Sequence, residues 1–534
     1  MLWCSGVLTN RTTLRARFGA PPEISNAELV RLLYLEDGMA SVSSVEGTLA
    51  WVLWDGRSEE LVLVRDRLGT NHLFVRDDGM KVAVSPQIEE LLGHCQRPAL
   101  DPAAMVEQIR GRALPPGRTF FAGIETVEPA TAVIFGRTLR RDMRYWEVGA
   151  SLVHGVIPER EASAVLRETL ERVIGQYASH LPSGVTLSSG LDSGTVAAVL
   201  RASSQGAELK AVSWLAPELP QADERAGIEA VVAHLGLELV PVRADLLWPL
   251  GDGLELAPPL SGPPLSYYVR LWRATFVAAR AAGLAVLFTG ASGDHLVGGK
   301  VFAYLDLLLT GRWLRLMQEL AAQARCSSLT YARACRHYLV GPLARQLWFS
   351  RAGTEPVLPW LIAPERTALP PPEQPGPRPW LPGRRQRLEL LRDRTLPRVL
   401  AELTAAGAAH GVEVRHPLAD HRLLELAARM PSSASLEGGV RKAALRRALE
   451  GALPHEVLTA PRKVLPTAIA ARGLREREVD VVRALLRNMR AADLGLVDPA
   501  VLAAHYERYR RGEAVFSIFW HTLTLEAWLR AHGG

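Results

Sequence analysis

Short apolar runs of period two open the chain. Residues 48–54, 61–65 and 81–84 alternate or run apolar over strand length between Gly and Asp turns, so roughly the first 145 residues predict a mostly β domain. After Tyr145-Trp146 the period changes to helix-length amphipathic segments alternating with short buried strands. The pattern predicts a helix over 159–179, a strand over 185–187 and a helix from Ser193, then a strand at 209–214, a helix at 224–235 and a strand at 237–242. A helix at 268–282 and a strand at 284–289 continue it. This is the signature of a parallel, doubly wound α/β sheet, with the domain boundary near residue 150. Residues 301–357 read as helical, residues 363–383 are too Pro-rich for regular structure and predict a loop or linker, and a further helical region runs from Arg384 to the end.

A length of 534 residues, at roughly 150 per domain, suits two to four domains, and a composition of 48% hydrophobic and 22% charged residues is that of a globular chain. The net charge of +6 comes largely from Arg scattered singly. The one dense run, from Arg378 to Arg394, lies in a Pro-rich setting with Asp and Glu and reads as a linker entering a charged helix, so no nucleic-acid partner is expected. Cys4, Cys95, Cys326 and Cys335 have no C-x-x-C spacing, which excludes the common zinc and disulfide frameworks and suits a reducing cytoplasm. The start MLWCSGVLTN lacks a signal-peptide pattern, and no stretch nears the ~20 apolar residues of a membrane span, so no membrane association is expected.

The segment GVTLSSGLDSGTVAAVLRA, residues 184–202, passes from a buried strand through a hydroxyl-rich turn into a helix. Gly190 permits close backbone approach, Ser188, Ser189 and Ser193 offer hydroxyls, and the free N–H groups of a helix start attract phosphate oxygens. Asp192 in such a cradle would repel phosphate unless it holds a cation, which assigns it to Mg²⁺. These residues resemble S-G-G-x-D-S, the pyrophosphate-loop motif of the adenine nucleotide alpha-hydrolase group, with Ser189 where the second position is normally Gly.

A second segment, LFTGASGDHLVGG at 287–299, resembles the S-G-x-G-x-D-E-x-x-x-G-G element of asparagine and β-lactam synthetases, with Asp294 as the second magnesium ligand and His295 in place of Glu. Ala222-Asp223-Glu224, the segment Val412 to Leu418, Arg441-Lys442 to Arg446, Leu453-Pro454 and Pro461-Arg462-Lys463 continue the resemblance in order. It implies that Leu187, Val212, Ser213 and Gly290 join the loop in binding ATP, and that Lys463, beside Arg462, is the cation facing the phosphates. Glu413 would orient the attacking amine or take its proton, or else form an ion pair with Arg415.

The stretches 47–55 and 64–69, with Ser85, Gly117 to Thr119 and Tyr145-Trp146, look like a class II glutamine amidotransferase. The implied fold is an N-terminal domain of that kind (Ntn-type, α+β) over 1–150, joined to a doubly wound, parallel-sheet pyrophosphate-loop synthetase domain over 151–534. Leu2 and Trp3, however, stand between Met1 and Cys4, and the R-G-P-D and N-G-E-I-Y-N segments that hold glutamine are absent. Cys4 therefore reads as a small buried hydrophobe, and the attacking amine as the substrate's own. β-Lactam synthetase places a Tyr at the position of Ala291, so the resemblance points to a lasso peptide macrolactam cyclase. Such an enzyme would adenylate an Asp or Glu side chain of a linear precursor peptide for attack by that peptide's N-terminal amine, with a leader peptidase and a leader-binding protein as partners. The peptide pocket is expected within 301–383. The alternatives are an asparagine synthetase or β-lactam-synthetase-like ligase, a tRNA-thiolating enzyme, and a non-catalytic peptide-binding protein.

Overall fold

The structure, a computed structural model, describes residues 1–93, 99–203, 208–251, 261–298, 300–348, 358–362, 379–460 and 466–532. The N-terminal strands are β1 (Leu2–Leu8), β2 (Gly47–Asp55), β3 (Glu60–Val64), β4 (Phe74–Asp77), β5 (Val82–Ser85), β6 (Glu125–Thr126), β7 (Thr131–Phe135) and β8 (Arg140–Arg144). They form an antiparallel sheet in the order β1-β2-β3-β7-β8 and a smaller one, β5-β4-β6. The periodicity reading of a mostly β domain needs correction, because helices Arg11–Phe18, Asn26–Asp37 and Pro102–Ile109 make it α+β, the class that the amidotransferase resemblance implied. Leu29, Val30 and Leu33 of the second helix bury against Trp51, Val62 and Ile134, which supplies the hydrophobic face that the alternating strands require.

The turn at 65–71 is held by buried polar groups. Arg65 donates to the carbonyls of Asn71, Gly69 and Val127, and the Asp66 carboxylate accepts the N–H groups of Leu68, Thr70 and Asn71. This charge pattern, part of the amidotransferase resemblance, therefore builds a structural turn.

β9 (Ser183–Thr186), β10 (Leu209–Leu215), β11 (Glu238–Arg243), β12 (Val286–Phe288) and β13 (Glu413–Arg415) form the second domain's parallel sheet, ordered β11-β10-β9-β12-β13. Helices Leu191–Ser203, Arg225–Leu235 and Val269–Ala281 provide the crossovers that parallel pairing demands, and helix Ala162–Tyr177, which precedes β9, packs beside Leu191–Ser203. β13 corrects the expectation of an all-helical region after Arg384. It contributes one buried residue, Val414, too little for a period-two signal.

The described part of the 301–357 region is helical, including Lys300–Leu309, Trp313–Cys326 and Gly341–Trp348. Most of the expected Pro-rich linker, 363–378, lies outside the described residues, but its end is a helix. Helix Pro382–Leu391 starts with Pro in the first turn, where its missing N–H costs nothing, and Asp306 accepts the N–H groups of Gly383 and Arg384. The Arg-rich run packs inward. Buried Arg387 donates to the Met430 carbonyl and Ser435 Oγ, and Arg394 pairs with Glu128 of the first domain. Among the described residues no helix is long and apolar enough to cross a membrane.

The seam between the domains carries Arg422 paired with Glu46 at 2.8 Å and four desolvated histidines. His421 packs edge-on to Trp146, His521 sits against Gly111, His72 lines one interdomain cavity and His416 another. Burial lowers His416, His421 and His521 to about 4 and His72 to about 3. The unfolded chain takes these protons near 6.5, so between that pH and about 4 it binds more protons than the folded one, and stability falls on acidification. Calorimetric scans from pH 7.5 to 4.5 should show a falling Tm, with a shallower slope in His421→Gln. A pH-independent Tm over that window would contradict this reading.

Candidate functional site

The carboxyl ends of β9 and β12, neighbours in the parallel sheet, deliver two loops to one place. Leu187 extends the β9–β10 ladder by donating to the Val212 carbonyl at 2.9 Å, after which the chain turns into helix Leu191–Ser203. The turn is tied by its own hydroxyls. Ser193 Oγ accepts the Ser188 N–H and lies 3.0 Å from Ser188 Oγ, which accepts the Gly190 N–H. Ser213, next to Val212 in β10, keeps a buried Oγ without a partner.

Ser189, the departure from the loop motif, has a local compensation. Its Oγ donates to Glu224 at 2.7 Å, and Gly227 makes room for it, since a Cβ there would lie 2.5 Å from the Ser189 Cβ. Glu224 thus reaches the loop directly, while the Asp223 carboxylate accepts the Ala216 N–H.

The second loop presses against the first. A Cβ on Gly290 would meet the Ser193 nitrogen at 2.7 Å, and one on Gly293 would lie 2.2 Å from Asp192 Cγ. Only hydrogen at these positions lets the loops close, and closure brings Asp192 and Asp294 onto one cation. Lys442 Nζ lies 2.6 and 2.7 Å from the two Asp192 oxygens and 2.7 Å from Asp294 Oδ1. Asp192 is largely buried, whereas the Asp294 side chain is 71% exposed. The pair fits a divalent ion by its donor chemistry: two carboxylates already converge on a single positive charge. Among the described residues no third His, Cys, Asp or Glu completes a cage, which suits Mg²⁺, an ion that takes its remaining ligands from phosphate and water.

Other predicted site residues fall elsewhere. Arg462 and Lys463 lie outside the described residues. Glu413 is not brought to the carboxylate pair, and of its two expected readings the ion pair with Arg415 is present. It is the first residue of β13, its carboxylate pairs with Arg415 at 2.7 Å, and Arg415 donates onward to the Tyr177 carbonyl. Glu413 instead lines a cavity of about 330 Å³ between the domains, with Gly6, Asn71 and His416. His416 Nδ1 is 2.7 Å from Thr289 Oγ1, which in turn accepts the Ala291 N–H, so this cavity adjoins the second loop through one side chain. His295 turns to Asp393, at 3.6 Å, rather than to the carboxylate pair.

Residues 165–530 match the asparagine synthase family, and residues 5–146 match a glutamine amidotransferase domain. The chain belongs to the asparagine synthase family. Asparagine synthetase 3 (glutamine-hydrolyzing) of Bacillus subtilis is 24% identical over 482 residues, 85% of this chain and 73% of that protein. Asparagine synthetase B of Escherichia coli is 22% identical over 327 residues, 57% of this chain and 52% of the relative. Amidase chyE of Penicillium rubens is 28% identical over 303 residues, 53% of this chain and 44% of the amidase. The chain spans less than half the length of that fungal amidase and of its Gibberella zeae counterpart. Asparagine synthase family members are ATP-dependent amide ligases, and the two-domain layout here is that of the family.

The sequence offered one signal for Lys442, its place in the K-x-x-L-R element, but that element names no partner. Gly293 carries a sharper test of the geometry. Gly293→Ala should displace the Asp192 carboxylate and weaken Mg·ATP binding at least about tenfold by calorimetry, one lost charge-assisted contact. Gly93→Ala, whose Cβ meets nothing within 4 Å, serves as the control and should leave it unchanged.

Proposed function

We propose that the chain is an ATP-dependent amide ligase that closes a macrolactam in a linear precursor peptide, as lasso peptide cyclases do. The observation that carries the ligase reading is the convergence of Asp192 and Asp294 on one cation beside the Ser188–Ser193 turn. Mg²⁺ held there with nucleotide would neutralise charge on the phosphates.

A carboxylate oxygen of the peptide attacks the α-phosphorus and pyrophosphate leaves. The peptide's N-terminal amine then attacks the acyl carbon, loses a proton and expels AMP. This chain's residues position and screen. The Ser188–Ser193 turn and the start of helix Leu191–Ser203 hold phosphate oxygens, and Lys463 and Arg462 are the proposed cations opposite the α-phosphate. Holding amine and acyl group in contact is worth up to ~7–11 kcal/mol of barrier, so most of the rate comes from geometry. Glu413, on the far side of the Thr289–His416 contact, is proposed to meet the amine from the cavity it lines rather than at the phosphates.

The absence of a glutamine-derived amine is supported at Cys4. It lies within β1 opposite Trp51, so its nitrogen is a peptide nitrogen and not the free amine that activates an N-terminal thiol. Burial also pushes the Cys4 thiol up, away from the thiolate. Similarity to asparagine synthetases over most of the chain favours a second reading, amidation of free aspartate by ammonia.

ATP–pyrophosphate exchange with product mass spectrometry separates the two. The expected result is exchange that depends on a linear core peptide, with a peptide product lighter by about 18 Da, one water, and at least a ~10³-fold loss in Asp192→Ala and Asp294→Ala. Asparagine formed from aspartate and ammonia would establish the second reading. Absence of nucleotide turnover with peptide and partner proteins present would sink both.

A further inference from the structure

The cation between Asp192 and Asp294 is a side chain of the protein itself, and its backbone is bent to put it there. Lys442 has φ +58° and ψ +38°, a left-handed conformation that a side-chain-bearing residue adopts at a cost and keeps only when its surroundings impose it. It immediately precedes helix Ala443–Ala448, so the residue is anchored by a fixed element and its ammonium is aimed inward. The Lys442 side chain is 13% exposed, and Nζ touches three carboxylate oxygens at 2.6–2.7 Å.

We propose that Lys442 is an internal counter-cation that occupies the metal position in the resting protein and excludes free Mg²⁺, so that metal enters only already bound to ATP. The inference rests on the nucleotide reading above. Charge and space both support it. Two carboxylates and one ammonium leave a net charge of −1, and a bare divalent ion would have to approach an ammonium lodged at contact distance from both ligands. A phosphate-bound metal arrives with its own anions, toward which the ammonium can swing. The two carboxylates differ in setting: the Asp192 side chain is buried and that of Asp294 faces solvent, from which a phosphate-bound metal would approach. Lys442 is then a positioning residue that orders metal and nucleotide binding and keeps two like charges together while the site is empty of phosphate.

The test is Mn²⁺ binding to the full chain, read from the loss of the free-ion electron paramagnetic resonance signal, with and without ATP. Without nucleotide the wild-type protein and Lys442→Arg should leave Mn²⁺ free, whereas Lys442→Gln and Lys442→Met, two uncharged variants checked for an unchanged melting profile, should each bind one Mn²⁺ at least about tenfold more tightly. Asp192→Asn added to Lys442→Gln should abolish the new site. Wild-type protein that binds Mn²⁺ alone as tightly as Lys442→Gln overturns the inference, as does failure of both uncharged variants to gain a site. Failure of wild-type protein to bind Mn²⁺·ATP would instead remove the nucleotide reading, while the uncharged variants would still decide whether Lys442 holds the metal position.

Discussion

Everything at the site depends on two loops being pressed together closely enough for carboxylates of like charge to share a cation. β9 and β12 are neighbours in the sheet, so their carboxyl ends are already one strand spacing apart. Gly290 and Gly293 remove the side-chain atoms that would hold the loops off, at approach distances where a Cβ would overlap Ser193 and Asp192. Two carboxylates so close repel unless a positive charge sits between them, and Lys442 supplies it. The fold thus makes a site complementary to a cation.

The first domain matches a glutamine amidotransferase domain, and Cys4 lies within β1 opposite Trp51. What the domain retains is interface: Arg394 with Glu128, Arg422 with Glu46, and histidines desolvated against both halves. The cavity between Gly6, Asn71 and Glu413 lies where the two domains meet, and it is joined to the second loop through His416 and Thr289. The first domain thus walls one side of a cavity that adjoins the second synthetase loop.

The parallel sheet was legible because its central strands are apolar runs followed by long amphipathic helices, and the observed β9, β10, β11 and β12 differ from the expected spans by one or two residues at their ends. The turns holding Ser188, Ser189, Gly190, Asp192 and Ser193, and Asp294, were legible as strand-end loops, and what singled them out from ordinary helix caps was the motif resemblance. β13 was not, since a three-residue strand with one buried side chain is invisible to periodicity. Nor was the partnership of Lys442 with residues 250 and 148 positions earlier, because contact at that separation is set by packing and leaves no local pattern. Glu413 carried two readings, and its pair with Arg415 was one of them. Its motif placed it near the chemistry, but the strand direction and the Arg415 pair turn it toward the interdomain cavity.

The central claim is that a substrate carboxylate is activated by bonding to the α-phosphorus of ATP at the Asp192–Asp294 pair. Oxygen-18 placed in the side-chain carboxyl of the linear peptide tests it most directly, because the oxygen that attacks phosphorus leaves with it. The account predicts one labelled oxygen in the AMP released during ring closure. Label appearing in inorganic phosphate with ADP, or AMP formed without label, would contradict it.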